Sequence, residues 1–324
     1  MNRTIAVLGA GAWGTALAVQ AALAGSTVRL WARDPALAVT IGAARESPRL
    51  PGIVMPASLT VTADMAQALH GAAAALLAVP VQHMRAIAGG LQHYAGPVVV
   101  CAKGVEIGTL LLPSEIIAEL LPACPAAVLS GPNFAAEIAA GLPAAAVLAA
   151  ADPALRAELI ALLATPRFRL YGNDDMIGVQ VGGAAKNVIA IAAGAVIGAG
   201  FGENARAALV TRGLAELSRL TVVLGGRPET VMGLSGLGDL LLTCTGERSR
   251  NFSLGVALGQ GTALADILAA RDGVTEGVAT APALLARAGD VEMPVCAAVA
   301  VLLEGRVTPR QAMNGLLARR LRDE

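Results

Sequence analysis

Short apolar runs alternate with small-residue or amphipathic segments through the first half of the chain, and the alternation stops near residue 173. The runs at 5–8, 27–31, 59–62, 73–79, 97–101, 126–130, 142–149 and 168–171 are rich in Val, Leu, Ile and Ala. Gly, Pro, Asn or Asp stand near most of their ends, so they read as strands buried on both faces. Between them, 15–24, 35–44, a segment from Asp64 to about 69, one opening at Val81, one holding Glu137 and 153–163 read as helices. Strands alternating with helices predict right-handed crossovers and a mainly parallel sheet wound on both faces. Beyond 173 the texture becomes Ala, Leu and Gly at helical spacing. The expectation is an α/β domain at 1–173 and an all-α domain at 174–324. The longest apolar run, 188–201, falls short of the ~18 residues a membrane span needs and predicts a buried core helix.

The first turn is chemically specific. Gly9-Ala10-Gly11-Ala12-Trp13-Gly14 follows the first strand and opens the first helix. Gly9 permits the sharp turn, Gly11 bares the backbone to a pyrophosphate, and Gly14 lets helix and strand pack closely. The N-terminal end of that helix faces the anion with unpaired N–H groups. Strand, glycine turn and helix together predict dinucleotide binding in a Rossmann-like domain. Asp34 stands about 20 residues on, where an acid bonds the adenosine ribose, but Ala32 occupies the place directly after the second strand. Arg33 could instead meet the 2′-phosphate of NADP. The sequence leaves NAD and NADP both open.

Composition narrows the classes. The chain has 324 residues, 24 basic and 24 acidic, so no global field favours nucleic acid. A short basic tail, Arg319-Arg320-Leu321-Arg322, reads as a solvated helix end. Four scattered cysteines and three histidines predict neither a zinc site nor a disulfide framework, and fit a reducing cytoplasm. Met1-Asn2-Arg3 is too short for a signal-peptide basic region, so no secretory leader is expected.

Lysine is scarce: Lys103 and Lys186 stand against 22 arginines. Lys103 follows the strand at 97–101, and ligands of parallel sheets lie beyond strand carboxyl ends. Lys186 enters an otherwise apolar helix, Gly182-Gly183-Ala184-Ala185-Lys186-Asn187. A desolvated lysine suits proton transfer. Gly236-Leu237-Gly238-Asp239 is a glycine-rich loop ending in an acid, and Ser249-Arg250-Asn251 sets an arginine and polar donors at a helix start, a pattern suited to phosphate.

As an ordered set, these segments resemble the bacterial NAD(P)-dependent glycerol-3-phosphate dehydrogenases over nearly the whole chain. The likeness rests on the turn at 9–18, Trp31-x-Arg33, Ala102-Lys103-Gly104, Ser130-Gly131-Pro132 with Phe134-Ala135, the Lys186 helix, the Asp239 loop and Glu247-Arg248-Ser249-Arg250-Asn251. It implies reversible reduction of dihydroxyacetone phosphate to sn-glycerol 3-phosphate by NAD(P)H, feeding phospholipid synthesis in the cytoplasm, with no metal, no membrane insertion and room for a homodimer. It implies that Lys186 is the general acid/base, with Lys103 and Asp239 lining the substrate as further catalytic groups. Gly131, Asn133, Ser249, Arg250 and Asn251 fall on substrate positions. Gly9, Gly11, Ala12, Trp13, Gly14, Arg33, Lys103, Ala135, Arg250, Val274 and Glu276 fall on cofactor positions. Asn133 stands where the family usually has Ser or Thr, and Ala12 where many members have Ser. Lys103 and Lys186, one from each half, are then expected to serve one substrate. The alternatives are a two-domain 3-hydroxy acid dehydrogenase and a dinucleotide sensor without turnover. The first usually shows G-x-x-x-K-x-x-x-N, whereas Ala190 stands four residues after Lys186. The second leaves both lysines and the Asp239 loop without a task.

Overall fold

In the computed structural model, residues 3–246, 248–271 and 273–320 are described below. Glu247 of the dehydrogenase-like motif, Met1-Asn2 and the tail residues Leu321 and Arg322 lie outside them. The chain divides into two compact units. One comprises the chain up to Lys103 together with Leu112–Val179, the other Gly104–Leu111 together with the chain from Gln180 onward.

The first unit is built on an eight-stranded sheet: β1 Thr4–Leu8, β2 Thr27–Trp31, β3 Leu59–Thr62, β4 Ala72–Leu77, β5 Val98–Val100, β6 Ala126–Ser130, β7 Ala144–Ala149 and β8 Phe168–Asn173. Their order is β3-β2-β1-β4-β5-β6-β7-β8, and every neighbouring pair is parallel except β6 and β7. The order reverses between β1 and β4, which is where an open sheet of this kind leaves a crevice for a ligand. Ile5, Val7, Leu30, Leu76, Val99 and Leu148 carry the core, and the helix Ala12–Leu23 packs on it through Leu17, Ala18 and Ala21.

Several elements differ from the sequence reading. Within the unit β6 and β7 run antiparallel, because the chain between them holds only the five-residue helix Ala135–Ala139 and doubles back instead of crossing the sheet. The apolar run at 73–79 ends as a strand at Leu77, since the chain leaves the ladder ahead of Pro80. The run at 142–149 enters the sheet only at Ala144, after Pro143. A helix at Pro113–Leu120, unread in the sequence, starts with proline at its first position, and Glu115 Oε2 accepts the Leu112 N–H at 2.7 Å.

The chain from Gln180 is helical among the described residues. Its central element, Met176–Gly198, begins twelve residues before the apolar run at 188–201 and stops three before its end. It is long and apolar enough to cross a membrane, yet 89% of its most apolar window is buried in the protein. Glycine lets a second helix, Arg250–Gly259, cross it at backbone contact. A Cβ on Gly194 would lie 2.0 Å from the Phe252 carbonyl oxygen, and one on Gly255 2.1 Å from that of Ile191.

Candidate active site

In the first unit, the residues expected to touch cofactor and substrate follow the carboxyl ends of parallel strands, and so share one rim of the sheet. The glycine turn follows β1, Arg33 follows β2, Lys103 follows β5 and Gly131 follows β6. The turn is packed to its steric limit. A Cβ on Gly9 (φ +119°) would lie 2.6 Å from the Ala78 carbonyl oxygen, and one on Gly14 1.9 Å from the Gly9 carbonyl oxygen. Gly11 differs: a Cβ there would meet nothing within 4 Å. Gly11 is also the N-cap of the helix Ala12–Leu23, and no side chain caps that end. Exposed backbone, an open approach and an uncapped helix start form a cradle that fits a pyrophosphate. Trp13, next in the first helical turn, donates its indole N–H to the Cys101 carbonyl at 3.2 Å, tying the turn to the chain that leads to Lys103.

Asp34 is the N-cap of the helix Pro35–Ala44, where Oδ1 accepts the Ala36 N–H at 2.9 Å. The acid that could have bonded a ribose is thus oriented onto its own helix, beside an exposed Arg33. Lys103 is half-buried, and its Nζ donates to the Gly131 carbonyl at 3.2 Å. Gly131 has φ +152°, and a Cβ there would strike Ala146 Cα at 2.9 Å. Beyond it, both amide atoms of Asn133 are buried without a hydrogen-bond partner. Buried polar atoms are normally paired, so an unmatched donor and acceptor two residues past the lysine's partner fit a polar ligand. Ala135 opens the short helix that follows.

In the second unit, Lys186 is 7% exposed in the middle of its apolar helix. Its ammonium pairs with the Asp239 carboxylate and donates to Thr243 Oγ1 at 2.9 Å. Asp239 is 1% exposed and lies in the first turn of the helix Asp239–Thr245. A π-helical turn, Leu234–Gly238, leads into that helix. Close packing shapes this approach, since a Cβ on Gly182 would lie 2.6 Å from the Ser235 carbonyl oxygen. Asp239 and Thr243 are one helical turn apart and so face Lys186 together. Thr243, unassigned in the sequence reading, is found through this i, i+4 relation to Asp239. Burial pushes the neighbouring Cys244 thiol up to about 12, with Lys186 opposing, so it is no nucleophile at neutral pH.

A second polar group stands one residue along. Asn251 Nδ2 donates to Asn187 Oδ1 at 2.9 Å, and Asn251 Oδ1 accepts the Gly277 N–H at 3.0 Å. Asn187 Nδ2 reaches Glu276 Oε2 at 3.5 Å. Ser249 caps its helix by accepting the Phe252 N–H at 3.2 Å, while Arg250 is exposed. Val274 is 46% exposed, two residues before Glu276.

Comparison with known proteins agrees with this geometry. Residues 4–156 match the model of the NAD-dependent glycerol-3-phosphate dehydrogenase N-terminus, and 175–314 that of its C-terminus. The chain belongs to the NAD-dependent glycerol-3-phosphate dehydrogenase family. Glycerol-3-phosphate dehydrogenase (NAD(P)+) of Acidiphilium cryptum is 59% identical over 98% of both chains. The Gluconobacter oxydans protein of the same name is 54% identical over 97% of both. The crystal structure of glycerol-3-phosphate dehydrogenase from Coxiella burnetii is similar at TM-score 0.94 and 40% identity, covering 98% of this chain and 99% of that one. Membership of this family carries NAD(P) dependence and agrees with the glycine cradle. Among the described residues no group of His, Cys, Asp and Glu is arranged to hold a metal ion.

Proposed function

We infer that this protein interconverts dihydroxyacetone phosphate and sn-glycerol 3-phosphate, with Lys186 as the proton donor and acceptor. The observation that carries the reading is a buried lysine ammonium anchored by Asp239 and Thr243 within a glycerol-3-phosphate dehydrogenase chain. The nicotinamide, when bound, supplies hydride to the C2 carbonyl carbon. Gly9, Gly11 and Gly14, with Ala12, Trp13, Arg33, Lys103, Ala135, Arg250, Val274 and Glu276, are assigned to hold the dinucleotide. As C2 is reduced its oxygen becomes an alkoxide, and Lys186 Nζ gives it a proton. In the reverse direction the same nitrogen takes the proton from the alcohol. Asp239 fixes the ammonium and balances its charge when no substrate oxygen is present. Lys103 contributes a second positive charge toward the growing alkoxide. Gly131, Asn133, Ser249, Arg250 and Asn251 are assigned to the substrate, with Arg250 on its phosphate. The phosphate lies away from the reacting carbon, so its binding energy is spent on orientation.

The reading assigns residues 1–173 to the dinucleotide and 174–324 to substrate and catalysis. It includes a cytoplasmic location, supported by four buried free thiols. It also includes a homodimer, which sedimentation at micromolar concentration reads directly. The deciding experiment follows oxidation of NADH and of NADPH at 340 nm with dihydroxyacetone phosphate. Turnover that needs the ketone phosphate is expected, and its absence with both cofactors overturns the reading.

A further inference from the structure

Arg250 is gripped by a segment to which the reading above gives no task. Between the helices Leu264–Ala269 and Glu276–Ala288 the chain passes Arg271 and Gly273. Arg271 is half-buried, and its two terminal nitrogens take different partners. Nη1 donates to the Arg250 carbonyl at 2.7 Å, and Nη2 donates to Ser253 Oγ at 3.0 Å. Both acceptors belong to the opening of the helix Arg250–Gly259. Two residues on, Gly273 has φ +101°, and a Cβ there would stand 3.1 Å from Arg250 Nη1. One short stretch therefore bonds the Arg250 carbonyl and lies close to its guanidinium. A planar fork of donors pins its backbone, and a glycine backbone leaves its guanidinium room to lie close.

This arrangement sets two guanidinium groups near each other. Burial first, and the Arg250 charge second, push the Arg271 guanidinium below its ordinary value. A lysine in its place could not span two acceptors with a rigid planar fork. Like charges held together at a cost are relieved by an anion that answers both, and a dianionic phosphate monoester does so better than a neutral hydroxyl.

We propose that Arg271 is a positioning residue that, with Gly273, holds the Arg250 guanidinium ready for a phosphate dianion and so sets the preference for a phosphorylated ketone. The proposal rests on the assignment of Arg250 to the substrate phosphate. Arg271 acts through Arg250, whose carbonyl it holds.

The test compares Arg271→Gln, Arg271→Ala, Gly273→Ala, Arg250→Ala and the double variant R250A/R271A. Steady-state kinetics are run at saturating cofactor with dihydroxyacetone phosphate and with unphosphorylated dihydroxyacetone. The inhibition constant of inorganic phosphate is measured alongside. In R271A the KM for dihydroxyacetone phosphate and the phosphate inhibition constant are each expected to rise about tenfold, as for loss of a charge-assisted hydrogen bond, while kcat stays within about twofold. Efficiency on dihydroxyacetone should not move, and R271A should add nothing in the R250A background. Equal losses on both ketones, or a lowered kcat with KM unchanged, would show a purely structural role and overturn the proposal. If R250A alone leaves KM for the phosphorylated ketone unaltered, the phosphate assignment itself falls. If R250A raises KM and neither Arg271 variant does, only the present inference falls.

Discussion

A lysine among aliphatic side chains needs its charge answered, and at this site Asp239 and Thr243 answer it. Removing Lys186 therefore does two things at once. It deletes the proposed proton donor, a kind of group worth about 10²–10⁴ in rate. It also leaves Asp239 buried without its counter-charge, a cost of about 3–5 kcal/mol in comparable pairs. Lys186→Ala is expected to lower kcat by at least a hundredfold while the dissociation constant of NAD(P)H, read by quenching of tryptophan fluorescence, changes little. Equal losses in turnover and cofactor affinity would assign the lysine to structure instead. Arg33 belongs to the same scale. Asp34 caps its helix through one oxygen, and Arg33 is the exposed cation beside it after β2. Arg33→Gln should weaken NADPH about tenfold and leave NADH within twofold, as loss of a guanidinium–phosphate contact requires. Titration calorimetry with both cofactors checks it, and parallel weakening would remove the 2′-phosphate from its role. Both lysines were legible in the sequence because a rare residue type in a biased composition stands out, and the glycine turn because its spacing falls between a strand and a helix. Thr243 was not, since its meaning comes only from facing Lys186 beside Asp239.

Among elements, the crossing of Met176–Gly198 with Arg250–Gly259 decides where the polar groups of the helical unit stand. Gly194 and Gly198 on one helix and Gly255 and Gly259 on the other leave no room for a Cβ. The start of a third helix joins them, since a Cβ on Gly277 would lie 2.6 Å from Asn251 Oδ1. The hydrogen bond between Asn187 and Asn251 needs that closeness. Gly255→Ala should cost about 1–3 kcal/mol by overpacking and raise KM for the ketone phosphate as well. Thermal unfolding and kinetics on one preparation test this, and a neutral outcome in both would mean the helices separate without consequence. The composition showed that glycine was abundant here. It did not show which glycines face one another, because helical spacing in an Ala-rich segment leaves several faces equally apolar.

At the scale of the whole molecule, charge is balanced and acids are mostly at the surface, which makes the buried Glu216 an exception. Its carboxylate accepts the N–H groups of Val295 at 2.6 Å and Cys296 at 3.2 Å, capping the helix Pro294–Leu303. Burial raises this carboxyl above its ordinary value of 4.5, and the two N–H groups oppose the rise only in part. Over the interval from that ordinary value to the raised one, the native state keeps a proton that the unfolded chain releases. The stability this group contributes is full below the interval and is lost as pH rises through it. Glu216→Gln keeps one acceptor and cannot ionise. Its Tm relative to the parent protein should therefore improve as pH is raised from about 4 to about 7. A difference that stays constant across that range would contradict the shift.

Most strands, turns and helices in the first half were determined by the sequence itself, because local periodicity, proline and glycine settle those choices, although the helix Pro113–Leu120 was not read from it. The glycine turn belongs only in part to the same class: Gly11 and Gly14 act within one turn of chain, whereas Gly9 is also pressed against the Ala78 carbonyl. Tertiary structure decided what depends on residues far apart. It turned β7 against β6, gave Lys186 a carboxylate 53 positions away and set Arg271 on the carbonyl of Arg250. Local pattern fixes which way a side chain faces along its own element. Only packing fixes what it faces, because partners distant in the chain are brought together by the burial of everything between them.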